Sequence, residues 1–324
     1  MVREVALAGV ALAAVVAYGV LGGADFGGGV WDILARGPRK QDERNAIAHT
    51  MGPVWEANHV WLIFVIVILF TAFPRAYAEL SIGLFLPFHL VLIGISLRGG
   101  AFVFRAHGGY VDAPGQARAW GVVFGGASVI TPVLLGMSLG AVSSGLRVVG
   151  PLPLAMGALA LAICAYLAAV YLTLETDENQ GDLRAAFRRK ALYAGTVVVA
   201  LSGIVLPLTY FEAPHLWAGL TSATGAPVVG AGVLAAWTSG GALVLRKFRL
   251  ARLAAAAQVA FLVAGWGLAQ YPYLIYPSLT LFDAAAPPAT LDFVLYTLPF
   301  GLLLVLPSLI WLFRVFSRAR PFSP

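Results

Sequence analysis

The sequence predicts an all-α polytopic membrane protein with nine transmembrane helices in one membrane domain, residues 1–324. Hydrophobic residues make up 60% of the 324 positions, charged residues make up 11%, and mean hydropathy is +0.86. A soluble domain carries roughly a quarter charged residues. No soluble core could bury this much apolar surface, so we expect lipid to be the solvent.

Nine apolar runs approach the roughly 20 residues that a helix needs to cross a bilayer. They cover residues 5–24, 57–74, 79–97, 120–144, 152–174, 191–211, 227–245, 253–271 and 293–313. The first run lacks the small-residue cleavage pattern of a secretory signal, so we expect it to remain as a span. The connections are short, and none has the composition of a soluble domain.

The basic residues predict the orientation of these spans. Of the 21 Lys and Arg residues, 18 lie in the C-terminal tail or in the connections after spans 1, 3, 5 and 7. Only Arg3, Arg75 and Arg147 lie on the other side. Because cytoplasmic loops carry the excess of Lys and Arg, the N-terminus should lie outside and the C-terminus in the cytoplasm. The even spread of these residues also argues against nucleic acid as a partner.

Asp25 follows span 1 in the segment GGADFGGGVWD. The surrounding glycines weaken a helix but permit close approach of a neighbouring one. Two interpretations stay open: a helix end near the headgroups with Asp25 in water, or a protonatable relay inside a protein interface. Carboxylates within spans are costly and often mark ion or proton routes.

The segment GPVWEANHVW, residues 52–61, places Glu56 and His59 at the start of span 2. Pro53 suits the first helical position, and a carboxylate in the first turn favours the helix dipole. Alternatively, Glu56 and His59 share one helix face, and an acid beside a group that titrates near neutral pH can pass protons. The sequence alone leaves both interpretations open.

Three further features are less specific. His89 could be a haem or metal ligand, but a hydrogen-bonded histidine between helices is favoured because no second ligand is nearby. Cys164 is the single cysteine, so no disulfide or CxxC motif forms within the chain. Arg98 and Arg105, in RGGAFVFR after span 3, are either snorkelling anchors or contacts to an acidic group of a partner or lipid.

These motifs together resemble the second subunit of the cytochrome bd-type quinol oxidases. The segments GADFGGG, GPVWEANHVWL, FTAFPRAYA and RGGAFVFR occur in the family's order. A late segment, YPSLTLFDAAAPPATL at 276–291, is similar to the loop before the family's last helix. The resemblance therefore runs from span 1 to span 9.

The resemblance implies two four-helix bundles plus one extra helix, in a bacterial or archaeal cytoplasmic membrane. It implies a larger partner, subunit I, which holds two b-type haems, one d-type haem and the quinol-oxidising loop. This chain would carry no redox centre itself. The complex would oxidise quinol and reduce dioxygen to water in the respiratory chain. A structural quinone or lipid in this chain and small accessory subunits stay open.

The resemblance also implies roles for individual residues. Asp25 and Glu56, with His59, would line a proton path from the cytoplasm to the haems. The expected contacts with the partner or haem side are Trp55, Asn58, Trp61, Arg98 and Arg105. Val103 departs from the pattern, because many relatives carry an acid there.

Two rival functions remain. A secondary ion-coupled transporter would use Asp25 and Glu56 as coupling-ion sites, but such sites usually lie near the bilayer midplane. A scaffold that moves no protons would differ only in whether these acids titrate during turnover.

Overall fold

The computed structural model describes residues 1–51, 55–107, 114–176 and 180–318. Thirteen helices are present in these ranges: α1 Val2–Leu34, α2 Lys40–Met51, α3 Trp55–Ala72, α4 Pro74–Gly83, α5 Phe85–His107, α6 Pro114–Ser143, α7 Pro151–Glu175, α8 Gly181–Glu212, α9 Pro214–Leu220, α10 Gly225–Val244, α11 Phe248–Gln270, α12 Leu281–Ala284 and α13 Pro288–Arg318. A short antiparallel hairpin pairs β1 Tyr273–Ile275 with β2 Leu279–Thr280. The all-α membrane fold is confirmed.

Eight helices within the described ranges are long and apolar enough to cross a membrane: α1, α5, α6, α7, α8, α10, α11 and α13. Helices α3 and α4 add a ninth crossing if they form one broken span, in which the chain bends by 119° around Phe73. Pro74 occupies the first turn of α4, where its missing N–H costs no helical hydrogen bond. The count of nine and the orientation stay predictions.

The boundaries predicted for span 3 are wrong. Residues 79–97 are not one helix, because α4 ends at Gly83 and α5 begins at Phe85. Pro87 thereby lies in the first turn of α5 instead of a helix interior, where proline would remove a hydrogen bond. The helix then continues to His107, so Arg98 and Arg105 belong to α5 and not to a connection.

Helix α1 is also longer than predicted, because it continues through the glycine-rich segment to Leu34. A Cβ atom at Gly27 would overlap the Cys164 carbonyl oxygen and lie 2.7 Å from the Ala168 Cβ atom. One at Gly29 would overlap the side chain of Ser128. The glycines therefore let α6 and α7 approach α1 closely, as predicted, and this packing offsets their weak helix propensity.

Helix α1 is the central helix, packed against α3, α6, α7 and α11. The larger apolar core joins α1 to α7, α8, α10 and α11, and a second core joins α3, α4 and the hairpin. The connection after α1 is more than a loop, because it contains α2. Ile47 anchors α2 in the larger core, and Lys190 Nζ lies 2.7 Å from Glu43 Oε2.

Candidate functional site

Asp25 lies inside the protein, two helical turns before the end of α1, with 1% of its surface exposed. Arg98 Nη2 donates to Asp25 Oδ1 at 2.7 Å and to the Asp25 backbone oxygen at 3.1 Å. The Arg98 side chain is 3% exposed. The interpretation of Asp25 as a headgroup residue in water is therefore wrong.

A second ion pair lies seven residues further along both helices. Arg105 donates from Nη1 to Asp32 Oδ2 at 2.8 Å and from Nη2 to Oδ1 at 2.9 Å. The Asp32 side chain is fully buried, whereas Arg105 keeps about a quarter of its side-chain surface exposed. Arg44, on α2, donates from Nε to the Asp32 backbone oxygen at 3.2 Å and places Nη2 3.7 Å from Oδ2.

Helix α6 separates the two pairs with one aromatic ring. The guanidinium carbons of Arg98 and Arg105 lie 5.0 and 5.7 Å from the centre of the Phe124 ring. Ser128 accepts from Arg98 Nε at 3.0 Å and donates to the Phe124 backbone oxygen at 2.7 Å. We call the set Asp25, Asp32, Arg98, Arg105, Phe124 and Ser128 the ion-pair ladder.

The two carboxylates of the ion-pair ladder differ in how many of their oxygens accept a hydrogen bond. Both Asp32 oxygens accept from Arg105. Only Oδ1 of Asp25 accepts from Arg98, and the buried Oδ2 has no hydrogen-bond partner among the described residues. A buried carboxylate oxygen normally has a partner, so Oδ2 is the atom of the ladder at which a proton or water can be received.

Helix α3 adds residues from the predicted motif to this region. Asn58 is 3% exposed, and its Nδ2 donates to the Leu21 backbone oxygen at 3.2 Å. The His59 ring meets the rings of Tyr18 and Phe26 edge to face, at centroid distances of 6.0 and 6.1 Å. Trp61 packs on a small apolar cluster that includes Tyr18 and Phe26.

The remaining two residues of this motif, Trp55 and Glu56, are part of α3. Their side chains lie outside the described part of the structure. Of the predicted site residues, the structure therefore brings Asp25, Arg98, Asn58, His59 and Trp61 to one segment of α1.

A family model described as cytochrome bd terminal oxidase subunit II matches residues 4–316. The chain belongs to this family. The structure of bd oxidase from Geobacillus thermodenitrificans superimposes with a TM-score of 0.82 over 98% of this chain and 99% of that one, at 23% identity. This likeness in fold agrees with the sequence resemblance, which is confirmed.

Two curated relatives carry related descriptions. The putative cytochrome bd menaquinol oxidase subunit II of Bacillus subtilis is 23% identical over 327 residues, covering 94% of this chain and 92% of the relative. Cytochrome bd-I ubiquinol oxidase subunit 2 of Escherichia coli K12 is 26% identical over 212 residues, covering 58% and 53%. As a cytochrome bd oxidase subunit II with eight apolar, span-length helices in its described residues, the chain is a multi-pass protein of the cytoplasmic membrane.

Within this subunit II chain, the acid that Arg98 contacts is the chain's own Asp25. The hydrogen bond that the described residues give His89 lies within its own helix and not between helices as predicted, since Nδ1 donates to the Phe85 backbone oxygen at 2.7 Å. Across the residues that the structure describes, no three His, Cys, Asp or Glu side chains group as a metal site would require.

Asp32 is the site residue that the sequence does not single out, because it lies beyond the apolar run of residues 5–24. A signal was nevertheless present. Asp25 and Asp32 are seven residues apart, and so are Arg98 and Arg105. Seven residues make about two helical turns, so each pair of like residues faces one direction and the two pairs match.

Proposed function

We propose that this chain is the haem-free second subunit of a cytochrome bd oxidase, which oxidises two molecules of membrane quinol and reduces one dioxygen to two waters. The family match over residues 4–316 carries this proposal. The relatives' descriptions as menaquinol and ubiquinol oxidase subunits support quinol as the reductant.

The proposed partner is the larger subunit I, with two b-type haems and one d-type haem. Those haems would transfer electrons from quinol to dioxygen. His89 is a poor candidate for axial ligation, since it lies on an exposed face of α5 with no grouped ligands in the described ranges. This chain would instead support subunit I and conduct protons to it.

The proposed proton path uses Glu56, His59 and Asp25. Reduction of dioxygen to two waters consumes four protons, which must reach a site inside the membrane. Arg98 neutralises the Asp25 carboxylate at Oδ1 and so offsets the cost of a charge in a span. The unpartnered Oδ2 can then accept a proton that arrives along α3, on which Glu56 lies near the N-terminal end.

The test is a pull-down of the tagged chain in mild detergent, with a reduced-minus-oxidised optical spectrum of the eluate. We expect b- and d-type haem bands and a co-eluting larger subunit that together reduce dioxygen with quinol. Membranes that carry the untagged chain serve as the control. A solitary, haem-free protein would contradict the proposal and favour the ion-coupled transporter.

A further inference from the structure

We propose that Tyr18 continues the proton path beyond Asp25, through water held between the Tyr18 hydroxyl and Asp25 Oδ2. The inference rests on the proposed function and adds one residue to its path. Two observations carry it, namely the position of the Tyr18 ring over Gly22 and two buried oxygens without partners among the described residues.

The Tyr18 ring packs over Gly22, on the stretch of α1 between Tyr18 and Asp25. A Cβ atom at Gly22 would lie 3.0 Å from Tyr18 Cε2 and 3.1 Å from Cδ2, so the ring covers Gly22, four residues further on. Gly22 is three residues from Asp25, a rise of about 4.5 Å. Tyr18 and Asp25 are seven residues apart and share one face of α1, so the ring lies in the interval between the two residues.

The Tyr18 hydroxyl oxygen and Asp25 Oδ2 are both buried without a hydrogen-bond partner among the described residues. Tyr18 is 9% exposed and Asp25 is 1% exposed. Neither the Tyr18 hydroxyl nor Asp25 Oδ2 has a hydrogen-bond partner in the ranges that the structure describes. A buried polar group left unpaired costs about 1–3 kcal/mol. A buried water usually makes two to four hydrogen bonds to such groups, so one or more waters would satisfy both oxygens.

Tyr18 belongs to a small apolar cluster. The cluster contains Phe26 and Cys164, with Trp61, Leu62, Ile95 and Leu135 packed against it. The His59 ring approaches Tyr18 edge-on from α3. The polar groups here are the Tyr18 hydroxyl, the Asp25 carboxylate with its Arg98 partner and the His59 ring, so water beside the two oxygens has few other hydrogen-bond partners.

A tyrosine hydroxyl can relay a proton because it both accepts and donates a hydrogen bond. One proton arrives on the hydroxyl oxygen from water as the hydroxyl's own proton leaves to the next acceptor. Tyr18 keeps one proton and no charge. The relay continues the path along α1 from Asp25 toward Tyr18, away from Asp32.

The experiment is Tyr18→Phe in the intact complex with subunit I. Removal of an unpartnered hydroxyl should leave the melting temperature and the haem bands unchanged or raise the melting temperature slightly. We expect quinol-driven oxygen reduction to slow by about tenfold, less than the loss of a general acid or base, because water can partly replace the hydroxyl. We also expect a larger rate difference between H2O and D2O.

The matched control is Tyr166→Phe. Tyr166 is a second buried tyrosine, but its hydroxyl donates to Ser239 Oγ at 2.5 Å. Its removal should lower the melting temperature and leave the rate per intact complex and the isotope effect unchanged. Gly22→Ala keeps the Tyr18 hydroxyl but forces the ring to move, so it should also slow oxygen reduction.

The proposal is overturned if Tyr18→Phe keeps the wild-type rate and isotope effect. It is equally overturned if Tyr18→Phe only lowers the melting temperature, as expected for Tyr166→Phe. A wild-type complex that does not reduce dioxygen would instead contradict the proposed function. The two failures are therefore distinguishable.

Discussion

The two aspartates of the ion-pair ladder make different hydrogen bonds, although they are the same residue type. Asp32 gives both oxygens to Arg105 and so fastens α5 to α1. Asp25 gives one oxygen to Arg98 and keeps one without a described partner. The sequence identified Asp25 from its glycine-rich surroundings. It could not reveal the difference between the two acids, which depends on how α5 is placed.

Asp25→Asn is expected to destabilise the chain, because it leaves the Arg98 guanidinium buried without a counterion. Breaking one side of a buried ion pair typically costs about 3–5 kcal/mol. The double variant Asp25→Asn with Arg98→Gln removes both charges and should recover part of this loss. Denaturant unfolding of the four proteins in one detergent gives the coupling energy. A double variant that is no more stable than Asp25→Asn alone would contradict a buried, coupled pair.

Glu56→Gln is expected to leave the complex assembled and its haem bands intact while oxygen reduction slows. The amide keeps the size of the side chain but cannot carry a proton at neutral pH. The measurement is steady-state oxygen consumption with quinol across a pH range, normalised to haem. An unchanged rate and pH profile would remove Glu56 from the path.

Helix positions were predictable where apolar runs are continuous and uninterrupted. The runs at 152–174 and 253–271 agree with α7 and α11 to within a few residues. The predicted helix boundaries are wrong where tertiary packing determines the end or the start of a helix. The glycines before Leu34 look like a helix end, but close contact with α6 and α7 keeps them helical. Pro87 marks a helix start inside an apolar run, which hydropathy does not detect.

Gly27→Ala is expected to separate α1 from α7, because the new methyl group would overlap the Cys164 carbonyl oxygen. Overpacking of this kind typically costs about 1–3 kcal/mol. Gly9→Ala is the control in the same helix, since nothing lies within 4 Å of its added Cβ atom. That variant should be neutral or slightly stabilising. Thermal unfolding in detergent compares them, and equal melting temperatures would argue against the close contact.

The chain as a whole offers a direct test of orientation, because Cys164 is its single cysteine and is buried. In a Cys164→Ser background, a cysteine replaces exposed Gln180, before α8, or exposed Ala223, after α9. A membrane-impermeant thiol reagent added to intact cells should label Ala223→Cys only. Inside-out vesicles should give the reverse pattern. Labelling of both positions from one side would contradict the predicted topology.

The ion-pair ladder also fixes the relative direction of helices α1 and α5. Residue numbers rise together from Asp25 with Arg98 to Asp32 with Arg105, so α1 and α5 run in the same direction. Two membrane-crossing helices with a common direction require a return crossing between them. Of the helices between α1 and α5, α3 with its bent continuation α4 passes the length and hydropathy test for a span. The ladder therefore favours a traversing path for α3 over a re-entrant one, and with it the predicted ninth crossing.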